Sequence, residues 1–320
     1  MTTTTVRAEG SRPPGAVRVR LMRSQPLRAW CLVVAMMAAL PVAEVRAQQS
    51  FATGQTIAPA YEGWERNDDG SFDLVFGYMN RNWEQVFAIP VGADNSIEPG
   101  GPDQGQPTFF HPRRNRFVFR IRVPADFGES ELVWTLTSNG ETGRAYGTLK
   151  PDYFIDDLVV QANYGAGGAA GTTPELPDNL PPDLTVVGAG SRTVRVGDEV
   201  TLTAVVTDDG KPRARPLPAF SPSLPGSITT DSATGLRFSW FVYRGPGQSA
   251  VFEPEQIAVW EDTRPGAHSP WAPGFETPDA PEDGHWMATA TFQKPGTYVL
   301  RGIAHDGGLA TMKDVTVVVH

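Results

Sequence analysis

FQKPGTYVLRGIAHDGG, residues 292–308, reads as a β-strand held between two turns. Lys294-Pro295-Gly296 supplies the entering turn, the run from Tyr298 to His305 alternates along an extended chain, and Gly307-Gly308 supplies the exit. A tyrosine at the start of such a strand suits a tyrosine corner, in which the hydroxyl bonds back to upstream backbone and ties a sandwich corner together. His305 and Asp306 end the strand. An Asp before Gly-Gly is ordinary turn chemistry, because its side chain bonds the backbone two residues on. A zinc site needs three or four strong ligands, and no second histidine stands at ligand spacing from His305.

The same period of two recurs on either side. TVRVGDEVTLTAVVTDDGKP, RFSWFVYRGPG, HWMATATF and MKDVTVVV are short strands separated by turn residues, with Trp240 in the middle of one of them. This predicts an immunoglobulin-like sandwich over 184–320 with the Trp240 indole in its core. Earlier in the chain, FDLVFGYMN puts Phe72, Leu74, Phe76 and Tyr78 on one face. RFVFRIRVP does so with Phe117, Phe119, Ile121 and Val123. ELVWTLTSNGETGRAYGTLK is a hairpin turning at Asn139-Gly140, NDDGSF is a second turn, and GADNSIEPGGPDQGQP reads as a long Gly/Pro loop. These features predict an antiparallel β-sandwich over 51–160. Between the two lies NYGAGGAAGTTPELPDNLPPD, where Gly and Ala give way to Pro, so 161–183 reads as a linker that begins flexible and ends stiff. The fold class is therefore all-β: two antiparallel sandwich domains joined by a Gly/Pro-rich linker.

VTLTAVVTDDG, FSWFVYRGPG and ATFQKPGTYVLRGIAHDG resemble the strands of PKD-type immunoglobulin-like domains of secreted and cell-surface bacterial proteins. The resemblance departs where SWFVYRG replaces the Trp-Asp-Phe-Gly-Asp-Gly type of run, and two insertions interrupt it near 212–235 and 255–284. It implies a spacer, adhesion module or accessory binding module without a catalytic set. The first half, through FGYMNRN and EPGGPDQGQPT, resembles uncharacterised N-terminal regions of exported bacterial proteins, which implies no activity.

The first 47 residues differ from the rest. Arg7, Arg12, Arg18, Arg20, Arg23 and Arg28 precede the apolar run WCLVVAMMAAL, and Val45 and Ala47 sit where a signal peptidase reads small residues, which predicts export with Gln48 as the new terminus. The run is too short to remain as a membrane anchor. Cys31, the sole cysteine, lies within it, so the chain after the cut has no thiol and no disulfide, and its cores must hold it together. Seven basic and two acidic residues precede the cut. That leaves 20 basic against 34 acidic residues, a net of −14. So acidic a surface repels nucleic acid and anionic lipid, and fits a periplasmic or extracellular protein.

Several residues are candidates for binding. Arg113, Arg114, Arg116, Arg120 and Arg122 gather in an otherwise acidic chain and suit an anionic partner such as an acidic polysaccharide, or else pair with acids on neighbouring strands. Asp156, Asp157, Asp208 and Asp209 supply hard oxygens at turns and are candidates for a structural calcium, although none has EF-hand spacing. The insertion from Pro254 to Trp286, rich in Pro and Trp, is expected to be ordered, with Trp260 and Trp286 packed beside strands. Trp271 there is either a lid over the sandwich edge or an aromatic platform for a sugar or a cell-surface protein. No nucleophile elbow, zincin helix or phosphate loop is present. The sequence therefore points to an exported non-catalytic structural, adhesion or accessory binding protein. A carbohydrate-binding module supporting a separate enzyme is the alternative, and a small carboxylate-based hydrolase comes third.

Overall fold

The computed structural model describes residues 51–219, 231–246 and 250–320. The leader with Cys31 and part of the first insertion lie outside the described residues. Residues 50–320 form one compact unit.

The first half contains β1 (Ile57–Arg66), β2 (Phe72–Asn80), β3 (Phe87–Ala88), β4 (Asn95–Glu98), β5 (Phe109–Phe110), β6 (Arg113–Val123), β7 (Leu132–Ser138) and β8 (Glu141–Gly147). Two three-stranded antiparallel sheets, β1-β2-β6 and β4-β7-β8, with the ribbon β3-β5, enclose a core centred on Trp134. The β7–β8 turn has positive φ at both Asn139 and Gly140, as an Asn-Gly hairpin requires. The expected long loop is interrupted by a strand. Asn95 opens β4 and is buried there because its amide donates to the Ile89 and Pro107 carbonyls (3.0 and 2.8 Å) and accepts from Trp134 Nε1 at 3.0 Å.

One expectation about this core is corrected. Phe117 does not share a face with Phe119, Ile121 and Val123. The pairing of β2 with β6 slips between Phe76 and Tyr78, and Phe117 takes a φ of 51° in the resulting bulge. An irregular step inverts the side-chain alternation. Phe117 thus joins Val75 on the opposite side, in a separate cluster with Tyr164, Trp271 and Leu309.

The second half has β9 (Asp183–Val186), β10 (Ser191–Val194), β11 (Glu199–Thr207), β12 (Arg237–Arg244), β13 (Ala250–Glu253), β14 (His285–Phe292), β15 (Gly296–His305) and β16 (Ala310–Val319). They make two four-stranded sheets, β13-β14-β11-β9 and β10-β16-β15-β12, which share one core. All pairings are antiparallel except β10 with β16. This is an immunoglobulin-like sandwich. Trp240 of β12 is buried between the sheets, and Tyr298 donates from its hydroxyl to the Lys294 carbonyl at 2.9 Å, the expected corner. Leu300, two residues on, is fully buried where antibody domains place a cysteine, so hydrocarbon packing takes the role of the inter-sheet disulfide.

Residues 161–183 do more than connect. Helix α1 (Asp157–Tyr164) starts on the Asp156 carboxylate, which accepts from Val159 N at 2.9 Å, and ends on Gly165 with φ 84°. Val160, Gln161, Tyr164, Ala166, Leu176 and Asn179 are all buried. The halves also exchange residues: Phe109 belongs to the second core and Tyr243 to the first. β12 is the edge strand of its sheet, and Thr108 N donates to Tyr243 O, the His111 ring nitrogen Nε2 bonds Val242 O, and Gln256 accepts from Trp240 N along it.

Candidate functional site

Three elements meet where the halves join. β15 ends at His305 directly opposite Arg237, the first residue of β12, so the antiparallel register sets a cation beside an imidazole. α1 lays Tyr164 across them, with its ring 4.5 Å from that of His305 in an edge-to-face contact. Trp271 closes the remaining side, donating from Nε1 to the Tyr164 carbonyl at 3.2 Å. The result is a cavity of about 40 Å³ whose lining includes Arg116, Tyr164, Arg237, Ser239, Trp271 and His305.

The charged groups here are deeply buried. Arg237 is 4% exposed and His305 5%. Burial lowers the Arg237 guanidinium to about 10, and Asp306 and Tyr164 partly restore it. His305 is held well below the ordinary imidazole value, first by burial and then by Arg237. Asp306 is enclosed completely; its carboxylate accepts from Gly308 N, from Leu309 N at 2.7 Å and from Asn179 Nδ2 at 3.1 Å. Burial nevertheless raises it to about 6. The turn chemistry expected of Asp306 is present. Gln161 and Asn179 of the 161–183 segment cover this strand end. A Cβ on Gly308 would fall 2.7 Å from Gln161 Oε1, so that close cover requires glycine.

The arginine cluster is taken up largely by acids of the same chain, with Arg120 and Arg122 still exposed. Arg114 pairs with Glu62 at 2.7 Å, Arg116 with Glu261 at 2.5 Å, Arg120 with Glu65 at 2.8 Å and Arg122 with Asp69 at 2.6 Å. Arg113 lies over the Trp83 ring at 4.0 Å. Four of the five cations are therefore neutralised by acids of the same chain, which matches the second of the two readings, pairing within the protein, rather than an anionic partner.

The four aspartates form two neighbouring pairs, each held by local contacts. Asp156 caps α1, Asp157 is raised first by burial and then by the neighbouring Glu65, and Asp208 accepts from Gly210 N and Asp209 from Lys211 N, both at 2.9 Å. Among the described residues no three His, Cys, Asp or Glu side chains gather as metal ligands, so these candidates are not brought together as a calcium site. Trp271 is 5% exposed and packs with Val75, Phe117, Ile155 and Tyr164. It is an interior residue between the halves, which corrects the reading of a surface platform. The cavity itself escaped the sequence reading, though an arginine opening the apolar strand RFSWFVYR was a signal for it.

A second, open feature is a groove of about 460 Å³ that runs past Trp83, Glu84, Phe252, Glu255, Gln256 and Trp260. The Trp260 ring stacks on His111 with centroids 5.0 Å apart, and Arg264 reaches over Trp83 at 5.2 Å.

No family model matches the chain, and no curated protein matches it. Among solved structures it is similar to a chimeric titin Z1Z2 functionalized with an exogenous peptide from decorin, at 12% identity over 83% of this chain and 99% of that one, with a TM-score of 0.22. The D00-D0 domain of intimin is similar at 12% identity over 82% and 100%, with a TM-score of 0.22. The Yersinia pseudotuberculosis adhesin InvE is similar at 12% identity over 82% of this chain, which spans 58% of that structure, with a TM-score of 0.23. At these values the likenesses assign the chain to no family, and its all-β architecture stands on its own strand pairings.

Proposed function

We propose that the protein is an exported, non-catalytic adhesion or structural module, acting in the periplasm or outside the cell, whose second half is a PKD-type sandwich. The observation that supports this reading is the joining of the two halves in one compact unit. Arg244 forms a two-bonded pair with Asp103 (3.0 and 2.8 Å) and donates to the Gln106 carbonyl, while Arg301 lies 3.4 Å over the Tyr243 ring and reaches the Val118 carbonyl at 2.8 Å. Arginines used in this way fix geometry between sandwiches, which suits a spacer that presents a surface. No helix among the described residues is long and apolar enough to cross a membrane.

The second reading, a carbohydrate-binding module, is favoured by the groove, where indole edges stand beside the carboxylates of Glu84 and Glu255 and the Gln256 amide. Such mixtures of apolar wall and placed polar groups suit small polar ligands. The test is a glycan array probed with the whole protein and with Trp83→Ala, alongside a panel of chromogenic glycosides. Glycan binding lost in Trp83→Ala without turnover supports the second reading, and neither binding nor turnover leaves the structural reading standing. Turnover of any glycoside, abolished by Glu255→Gln, would overturn both.

A further inference from the structure

We propose that the cavity between the halves binds a small monovalent anion of halide size, held by the Arg237 guanidinium and the His305 Nε2–H. This inference stands apart from the function proposed above and fails or succeeds independently of it.

Arg237 donates to the Ala233 carbonyl at 3.2 Å, and among the described residues no carboxylate lies within ion-pair distance of it. A buried cation without a partner is costly, so a fold that keeps one gains from a counter-charge beside it. Asp306 does not supply that contact, because its oxygens already take two backbone N–H groups and the Asn179 amide. The other cation in the wall, Arg116, is neutralised by Glu261. No Asp or Glu is among the residues that line the cavity.

The tautomer of His305 follows from its turn. Gly307 N donates to Nδ1 at 2.8 Å, so Nδ1 presents its lone pair and the neutral ring carries its proton on Nε2. That Nε2 is buried and has no hydrogen-bond partner in the protein. A fixed N–H and a fixed guanidinium thus face one space lined mainly by apolar side chains. One guanidinium with no carboxylate at ion-pair distance matches one negative charge, which favours a monovalent anion over sulfate or phosphate. The volume, about 40 Å³, exceeds the roughly 10–15 Å³ that a single water needs and suits a monatomic ion.

The test uses the whole protein at fixed ionic strength, with gluconate replaced stepwise by chloride or bromide. The thermal midpoint is expected to rise with the logarithm of halide concentration, as it does for a ligand bound only by the folded state. Bromide-soaked crystals are expected to show an anomalous peak within hydrogen-bond distance of Arg237 and His305 Nε2. Arg237→Met is expected to abolish the halide dependence. If that variant does not fold, the bromide peak in the unaltered protein decides. A midpoint indifferent to halide together with an empty anomalous map means water fills the cavity and overturns the proposal, as does an equal halide response in folded Arg237→Met.

Discussion

Phe109 and Tyr243 sit on facing strand edges, and each is buried in the other half's core, Phe109 among the sheets around Trp240 and Tyr243 among those around Trp134. Neither sandwich is complete without a ring from its neighbour. Thr108, next to Phe109, donates its backbone N–H to the Tyr243 carbonyl at 3.3 Å, which fixes the two strands side by side.

The exchange makes the halves unfold together. Calorimetry of the whole protein should show residues 51–320 melting in one transition, and Phe109→Ala should lower that single transition by about 3–5 kcal/mol, the usual cost of deleting a buried aromatic ring. Two resolved transitions, only one of which moves, would sink this prediction.

Asn95 is expected to be a weak point for substitution. Asn95→Ala removes an acceptor from Trp134 Nε1 and two donors from buried carbonyls, so it should destabilise by about 3 kcal/mol. Urea denaturation with a midpoint within error of the unaltered protein would show that water replaces those bonds.

Ion pairs at the junction should differ in weight. Asp103 is half exposed, and Asp103→Asn should cost less than about 1 kcal/mol because solvent screens such pairs. Arg301 is mostly buried between Tyr243 and Asp314, and Arg301→Ala should cost at least twice as much. Equal effects in chemical denaturation would contradict the assigned burial.

Acid should weaken the fold through His111. Burial among the rings of Phe109, Phe241 and Trp260 lowers it from 6.5 to about 4. The unfolded chain then takes up its proton first, so this contribution to stability is complete above pH 6.5 and is lost as pH falls toward 4, by roughly 2–3 kcal/mol at pH 4.5. His305 acts in the same direction. Asp306, raised to about 6, opposes them by gaining stability as pH falls from 6 toward 3.8. His111→Gln should therefore flatten the decline of the unfolding free energy between pH 6.5 and 4.5. An unchanged slope would remove His111 from the account.

The strands and the two central pins, Trp240 and Tyr298, were legible in the sequence because alternation and turn residues are local signals. The bulge at Phe117 was not, since a positive φ at a phenylalanine leaves no mark in a polar/apolar pattern. Helix α1 was hidden for a similar reason: its eight residues are too few for a helical period, and the Gly-Ala run that follows imitates a linker. The burial of His305 and Arg237 depends on segments distant in sequence, Asn179 and Trp271 among them, and only the assembled chain brings these together.

The contacts along β12 also bear on how copies of this chain treat one another. A sheet edge with free backbone groups invites another strand to add to it, and proteins protect such edges by covering them. Here Thr108, His111 and Gln256 occupy the edge. Cutting the chain near residue 183 would remove Thr108 and His111 and uncover the Val242 and Tyr243 carbonyls. The excised second half would then self-associate by strand addition, whereas the intact protein keeps that edge closed.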